Sequence, residues 1–390
     1  MSLQAIRART ILTPRERLED GCVLVRGARI ESVGPRSSVS VPADARWIDA
    51  GELLAPGFLD IHIHGAGGRD AMEGSSEALQ QIGQVLARHG TTAYVATTVT
   101  ASMEETLPAL ERMSAAIRQA RQQPGWPGAV PLGIHLEGPF ISRRRRGAHP
   151  ERFIQESSVE LLQRMLAAAR GEARILTLAA EIEGVEALLR LAGEHDVVVG
   201  LGHSDATYEQ TQRAIEDGAR HGVHLFNAMR PFHHREPGIV GAILTDARVT
   251  AELIADGVHV EAAALRLAVA AKGPDRIILV SDATSATGMP EGAYQLGPMR
   301  VTVREGVCRN EEGNLAGSVL TLDRAVRAMV KLGFDLSQVV RMLTLNPARL
   351  LGLDGRKGVI APGADADLVF LGPALEVRGT VIGGRLQPVP

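Results

Sequence analysis

From residue 58 onward the chain alternates short apolar runs with longer stretches of mixed polarity. The runs read LDIHI, AYVAT, PLGIHLE, ILTLAAE, VVVGLGH, GVHLF, TAELIAD and RIILVSD, eight in all. Several intervening segments, such as EALQQIGQVLARHG and VEALLRLAGEH, carry apolar residues at helical spacing. Eight strand–helix units of this kind predict a parallel (β/α)8 barrel. No sequence self-similarity accompanies them, so the period belongs to the fold and not to a repeat protein.

The ends of the chain read differently. The first fifty or so residues, with GCVLVRGARIESVG and ADARWIDAGELLAPG, show alternation and turn glycines that suggest a small antiparallel sheet. After the eighth run come a glycine-rich stretch, RNEEGNLAGSVLTLDRA, and helical segments to about Leu351. The tail, KGVIAPGADADLVFL and VIGGR, is strand-like again. Head and tail are expected to pair into one small β-sandwich domain, 1–54 plus 355–390, beside a catalytic barrel of 55–354.

Composition narrows the class. The chain has 390 residues, 45% of them apolar, and a net charge of −3, which gives no electrostatic case for nucleic acid or an anionic membrane. Two cysteines, Cys22 and Cys308, lack metal-ligand spacing and suit a reducing, cytoplasmic setting. No signal peptide is expected from MSLQAIRARTIL, and no run approaches the roughly 18 apolar residues of a membrane span.

In a (β/α)8 barrel the chemistry sits at the C-terminal ends of the strands. His62 and His64 alternate in the first run, so both imidazoles should face one way, with Ile61 and Ile63 opposite. Run three ends in His135 and Glu137, run five in His203, and run six carries His224. Run seven leads to Asp256 and His259, and run eight ends in Asp282. A lone histidine in a strand is commonly a hydrogen-bonded core residue. Imidazoles and carboxylates at the same end of successive strands are what a divalent metal needs, and they suit zinc, iron or manganese. Glu137, His203 and His224 are the expected ligands. His62 and His64 are either further ligands or hydrogen-bonding neighbours of a single metal.

Asp282 ends a buried run, and an isolated buried charge is costly. Water on a divalent ion still needs a nearby base, and the leaving group needs a proton; one carboxylate can serve both steps. Asp282 is the candidate, the alternative being a structural cap on the following loop. Lysine occurs only at 272, 331 and 357. A metal-bridging carboxylated lysine on a middle strand is therefore excluded, and Glu137 is the natural anionic ligand in its place.

Together these motifs resemble the amidohydrolase superfamily and, within it, the N-acetylglucosamine-6-phosphate deacetylases. The matching pieces are PGFLDIHIHG, GIHLEGPF, GAHP, GLGHSDAT, HLFNAM, REPGIVGAI, IADGVHV, LVSDAT, LAGS and TLNPARLLGL. The resemblance covers nearly the whole chain. It implies that Glu137, His203 and His224 bind the main metal and that Asp282 is the general acid/base. His149 would polarise the acetyl carbonyl or touch the sugar. Asn227 and Ala228 would contact the sugar phosphate. Arg235 and His259 would bind on the phosphate side, Arg235 across the interface of a homodimer. Leu315, Ala316, Gly317 and Ser318 would line the sugar pocket. Members vary at the first-strand pair; some hold two metals through it and others work with one. Zinc is the expected ion, with iron, manganese and cobalt as alternatives, in one site with room for a second.

The implied reaction is metal-dependent deacetylation of N-acetyl-D-glucosamine 6-phosphate to glucosamine 6-phosphate and acetate. Rival readings are the galactosamine epimer, a different amidohydrolase such as a deaminase or cyclic amidase, and a non-catalytic sugar-phosphate binder. The arginine run SRRRRGAHP, residues 142–149, reads either as steering for an anionic substrate or as a solvated loop, and in both cases as a mobile lid.

Overall fold

The structure, a computed structural model, describes residues 3–13 and 16–388. The outermost positions of the head and tail segments, 1–2 and 389–390, and 14–15 lie outside the described residues. So does part of the stretch read above for a signal peptide.

All eight apolar runs, GVHLF through Gly222 alone, contribute to strands of one parallel sheet. They are β1 (Phe58–Ile63), β2 (Thr91–Thr97), β3 (Val130–Glu137), β4 (Ala173–Leu178), β5 (Val198–Leu201), β6 (His221–Gly222), β7 (Thr250–Leu253) and β8 (Ile277–Leu279). Each pairs with its neighbour in chain order. The two ends meet at the mouth, where Ile63 bridges Ala283 in parallel. There the Asp282 amide donates to the His62 carbonyl over 2.9 Å, and the His64 amide donates to Ala283 over 2.8 Å. The barrel is thus closed by the residues that follow β8, not by β8 itself.

Helices intervene where the spacing predicts them. Ser76–Arg88 and Val185–Glu194 coincide with the two quoted segments. The first buries Leu79, Ile82, Val85 and Leu86 in one stripe against the barrel. Its N-terminus is satisfied by Ser75, whose hydroxyl accepts from the Ala78 amide; Ser102, Ser158 and Thr207 cap three later helices in the same way.

Head and tail share one sheet beside the barrel. Tail strand Leu368–Leu371 runs antiparallel to head strand Leu53–Pro56, which lies beside Leu3–Leu12 and, beyond it, Arg17–Arg26. Ile6, Val23, Leu54, Leu368, Phe370 and Val381 form its core. The KGVIAPGADADLVFL segment owes its charges to an ion-pair cluster. Lys357 Nζ lies 2.6 Å from Asp367 and 3.1 Å from Asp365, while Asp365 also meets Arg29 of the head at 2.6 Å.

One element goes beyond the periodicity reading. Gly292–Leu296, Met299–Arg304 and Val307–Asn310 form a three-stranded antiparallel sheet before the glycine-rich stretch. Only one face of it is buried, so its apolar positions alternate singly and form no run. Leu296, Val301, Val303 and Cys308 pack there against Ala148 and Ala316. Among the described residues no helix is long and apolar enough to cross a membrane.

Candidate metal centre

Strand ends deliver the side chains. Glu137 closes β3, whereas His203, His224 and Asp282 lie just beyond β5, β6 and β8. These last three have φ of 46°, 31° and 50°. Such left-handed backbone costs a non-glycine residue of order 1 kcal/mol or more and persists only where surrounding structure imposes it. Here the constraints are visible: Ser142 donates to the His203 carbonyl over 2.8 Å, and Ser318 donates to the Asp282 carbonyl over 2.6 Å.

The imidazoles converge on one carboxylate. Glu137 Oε1 lies 3.2 Å from Nε2 of His203 and of His224, and those two nitrogens are 3.0 Å apart. Donors bound about 2.0–2.1 Å from one ion at tetrahedral angles stand about 3.3 Å from one another. The three atoms therefore fit the face of a metal coordination shell. His203 donates from Nδ1 to the Arg145 carbonyl at 3.1 Å, which leaves a lone pair on Nε2 for a metal. His62 Nε2 and His64 Nε2 each lie 3.3 Å from Glu137, and His64 Nε2 is 3.2 Å from Asp282 Oδ1. His62, His64 and Asp282 form a second convergent donor set. The buried His62 Nε2 has no hydrogen-bond partner.

His149 lies equally close, with Nε2 3.4 Å from Glu137 Oε2. Its tautomer argues for a different job. The Thr100 amide donates to its Nδ1 over 3.2 Å, so the proton sits on Nε2. His149 thus presents an N–H to the cavity, not a lone pair.

Charges reinforce this geometry. Burial pushes the Glu137 carboxyl up, but the His62 charge and the hydrogen bond from His149 outweigh it and hold the carboxyl well below the usual carboxylate range. Burial likewise opposes ionisation of Asp282, and the His64 hydrogen bond with the His62 and His64 charges overcomes it. His64 is pushed down by burial and up, to about 9, by Asp282 and Glu137. His203 is lowered to about 4 by burial and the neighbouring His149. Buried carboxylates that stay ionised require cations, and a metal entering this centre would displace imidazole protons.

The remaining predicted residues divide. A cavity of about 470 Å3 opens over the centre; Asn227, Ala228, His259, Leu315 and Gly317 line it, with His64, His149 and Asp282. His259 is held by Asp256, which accepts from its Nδ1 at 2.7 Å. A Cβ on Gly317 (φ 60°) would sit 2.8 Å from the Asp282 carbonyl oxygen and 2.6 Å from Thr284, so only glycine allows this approach. Ala316 and Ser318 do not line the cavity. Ala316 is packed in the core of the three-stranded sheet, and the Ser318 hydroxyl donates to the Ser281 carbonyl at 2.6 Å. Arg235 is exposed, pairs with His234 at 2.8 Å and does not reach the cavity of its own chain.

The arginine run is tied down along its length. Arg143 donates to the Glu151 and Ile154 carbonyls, Arg145 pairs with Asp205 at 2.8 Å, and Arg146 pairs with Glu312 at 2.8 Å. Arg144, 82% exposed, meets solvent at the mouth and pairs more loosely with Asp205, at 3.6 Å. This segment forms a wall of the cavity and, through the Arg145 carbonyl, also orients His203.

Two residues escaped the sequence reading. Glu252 in β7 is fully buried; His62 and His221 donate to it at 3.0 and 2.8 Å. The only signal was a lone carboxylate inside an apolar run. His221 opens β6 without any strand-end position to mark it. His135 follows the bland reading: it is buried, bonded to Thr177 at 2.6 Å and lowered to about 3 by burial.

Comparison with known proteins completes the picture. The sequence model described as the amidohydrolase family matches residues 53–386. The N-acetylgalactosamine-6-phosphate deacetylase of Escherichia coli O157:H7 is 40% identical over 382 residues, 98% of each chain. The N-acetylglucosamine-6-phosphate deacetylase of Bacillus subtilis (strain 168) is 37% identical, over 96% of this chain and 95% of that one. Among solved structures, a mutant N-acetyl-D-glucosamine-6-phosphate deacetylase from Mycobacterium smegmatis, in complex with N-acetyl-D-glucosamine-6-phosphate, superposes with a TM-score of 0.91. It is 38% identical and covers 99% of both chains.

Proposed function

Since the chain belongs to the amidohydrolase family, we propose that it hydrolyses the acetamide of N-acetyl-D-glucosamine 6-phosphate to D-glucosamine 6-phosphate and acetate. The observation that carries this reading is the convergence of Glu137, His203 and His224 on one point, in a cavity that also presents an ionised Asp282 and the His149 N–H.

Glu137, His203 and His224 would hold the divalent ion, with His62, His64 and Asp282 offering a second set. Zinc suits this nitrogen and oxygen donor set; iron, manganese and cobalt are the alternatives. When bound, the ion supplies Lewis-acid activation of water and of the amide carbonyl.

Asp282 takes the proton of the attacking water on its carboxylate and passes it to the departing amine nitrogen. His149 donates from Nε2 to the carbonyl oxygen as negative charge develops there. Thr100, by donating to Nδ1, keeps that proton in place. The phosphate lies away from the bond broken, so its contacts supply binding and orientation. His259, fixed by Asp256, and Asn227 with the Ala228 backbone would receive it. Arg235, remote from its own cavity, would reach the phosphate of a second copy in a homodimer, where its planar fork can hold two oxygens. A phosphorylated sugar is a metabolite of the cell interior, which puts the reaction in the cytoplasm.

The test is acetate release from N-acetylglucosamine 6-phosphate and from N-acetylglucosamine, with metal-loaded and chelator-stripped protein. Fast, metal-dependent release from the phosphorylated sugar is expected. No release from either by metal-loaded protein sinks the proposal. A second reading, N-acetylgalactosamine 6-phosphate, is favoured by the Escherichia coli relative, and relative rates on the two epimers decide between them.

A further inference from the structure

Deep in the barrel, below the cavity, the Glu252 carboxylate gathers three donors. His62 Nδ1 lies 3.0 Å from Oε2, and the His224 amide donates to the same oxygen over 3.0 Å. His221 Nε2 lies 2.8 Å from Oε1. His221 completes the chain on its far side, with Nδ1 2.7 Å from the Thr250 hydroxyl. Glu252 and His221 are fully buried and do not line the cavity, and the chemistry proposed above uses neither.

We propose that Glu252 is a positioning residue on which both donor sets of the metal centre hang. The inference rests on the metal-dependent reading above. Its logic is one of proton placement. A neutral imidazole that donates from Nδ1 keeps its lone pair on Nε2. By accepting from His62 Nδ1, Glu252 turns the bare His62 Nε2 toward Glu137, 3.3 Å away. The same oxygen holds the main chain of His224, a residue in left-handed backbone (φ 31°) whose side chain belongs to the other donor set. One carboxylate therefore fixes the tautomer of a ligand in one set and the backbone of a ligand in the other. His221 and Thr250 hold that carboxylate in turn. Carboxylates behind metal-ligating imidazoles also raise ligand basicity, and their loss typically costs 10–100-fold in metal affinity.

Glu252→Gln tests this with little change of shape. An amide retains one accepting oxygen and loses the charge. Metal-free wild type, E252Q, H62N and the double variant would each be titrated with Co2+, following the visible spectrum of the bound ion, and each metal-free protein would be melted. The expected result is a ten- to hundredfold loss of Co2+ affinity in E252Q at a nearly unchanged metal-free Tm. That loss should shrink severalfold in the H62N background, because Glu252 acts through His62. An E252Q protein that binds Co2+ like wild type overturns the proposal. So does an equal loss in both backgrounds, or a fall in metal-free Tm without a fall in affinity, which mark a purely structural carboxylate. If E252Q does not fold, H221N loosens Glu252 from its other side and should show a smaller loss with the same dependence on His62; no loss overturns the proposal equally. Wild type that takes up no metal overturns the metal centre itself, whereas wild type that binds metal beside an unaffected E252Q overturns this inference alone.

Discussion

The Nε2 atoms of His203 and His224 stand 3.0 Å apart, with Glu137 Oε1 3.2 Å from each. The Arg145 carbonyl holds the His203 proton on Nδ1, so lone pairs are driven toward one point in space. A cation relieves that crowding. Removing metal with a chelator should therefore lower thermal stability as well as activity. Free ion at a hundred times its Kd stabilises the native state by about 2.7 kcal/mol. Melting curves recorded across a zinc titration measure this, and a Tm indifferent to zinc rules the arrangement out as a metal centre.

Asp282→Asn should reduce kcat by about 10²–10⁴-fold while KM and bound metal stay near wild type, because the amide can no longer take up the water proton. Metal content and steady-state kinetics on one preparation measure both. Near-normal turnover removes Asp282 from the acid/base role.

Arg235→Ala should raise KM for the phosphorylated sugar by tenfold or more and change kinetics on the unphosphorylated sugar little. In the homodimer proposed above, where Arg235 serves the partner's cavity, the defect should be complemented in mixed dimers with a variant damaged only at Asp282. Equal effects on both substrates would discard the phosphate role.

The Asp256–His259 pair sets a pH dependence. Burial pushes the His259 imidazole down, but the hydrogen bond and charge of Asp256 outweigh it and raise the imidazole above its ordinary value of about 6.5. A raised pKa means that positive charge is kept to higher pH than an ordinary imidazole keeps it and is lost as pH climbs past the raised value. KM for the phosphorylated sugar should rise as pH climbs past that value. In Asp256→Asn that rise should begin at lower pH. A profile unchanged by this variant would show that another group carries the dependence.

Lys357→Met would leave Asp367 without its cation, 2.6 Å away in the native protein, and should destabilise the fold by about 3 kcal/mol. Urea denaturation should show a lower midpoint with an unchanged slope, and kcat per folded molecule should hold. An unmoved midpoint would mean that the pair contributes nothing net.

Periodicity carried the reading of the barrel because buried strands leave runs of apolar letters, and all eight runs contribute to strands. Glu137, His203, His224 and Asp282 were legible because polar residues at strand ends stand out against such runs. Glu252 was not, since it sits inside TAELIAD, away from the strand end that made Asp256 stand out, and its donors arrive from β1 and β6. The three-stranded sheet was missed for a related reason: one buried face gives weak alternation. For Ala316 and Ser318, lying beside lining residues did not mean facing the cavity. For the arginine run, charge spoke louder than main-chain carbonyls, which have no letter in the sequence.

The closing seam ties chemistry to the order in which the chain is made. His62 emerges early and Asp282 late, yet the hydrogen bond between their backbones both shuts the barrel and sets the two side chains face to face. A nascent chain that has not yet produced Asp282 has an open barrel and an incomplete donor set. The donor set of His62, His64 and Asp282 is therefore complete only once most of the polypeptide exists, whereas Glu137, His203 and His224 are all present by residue 224.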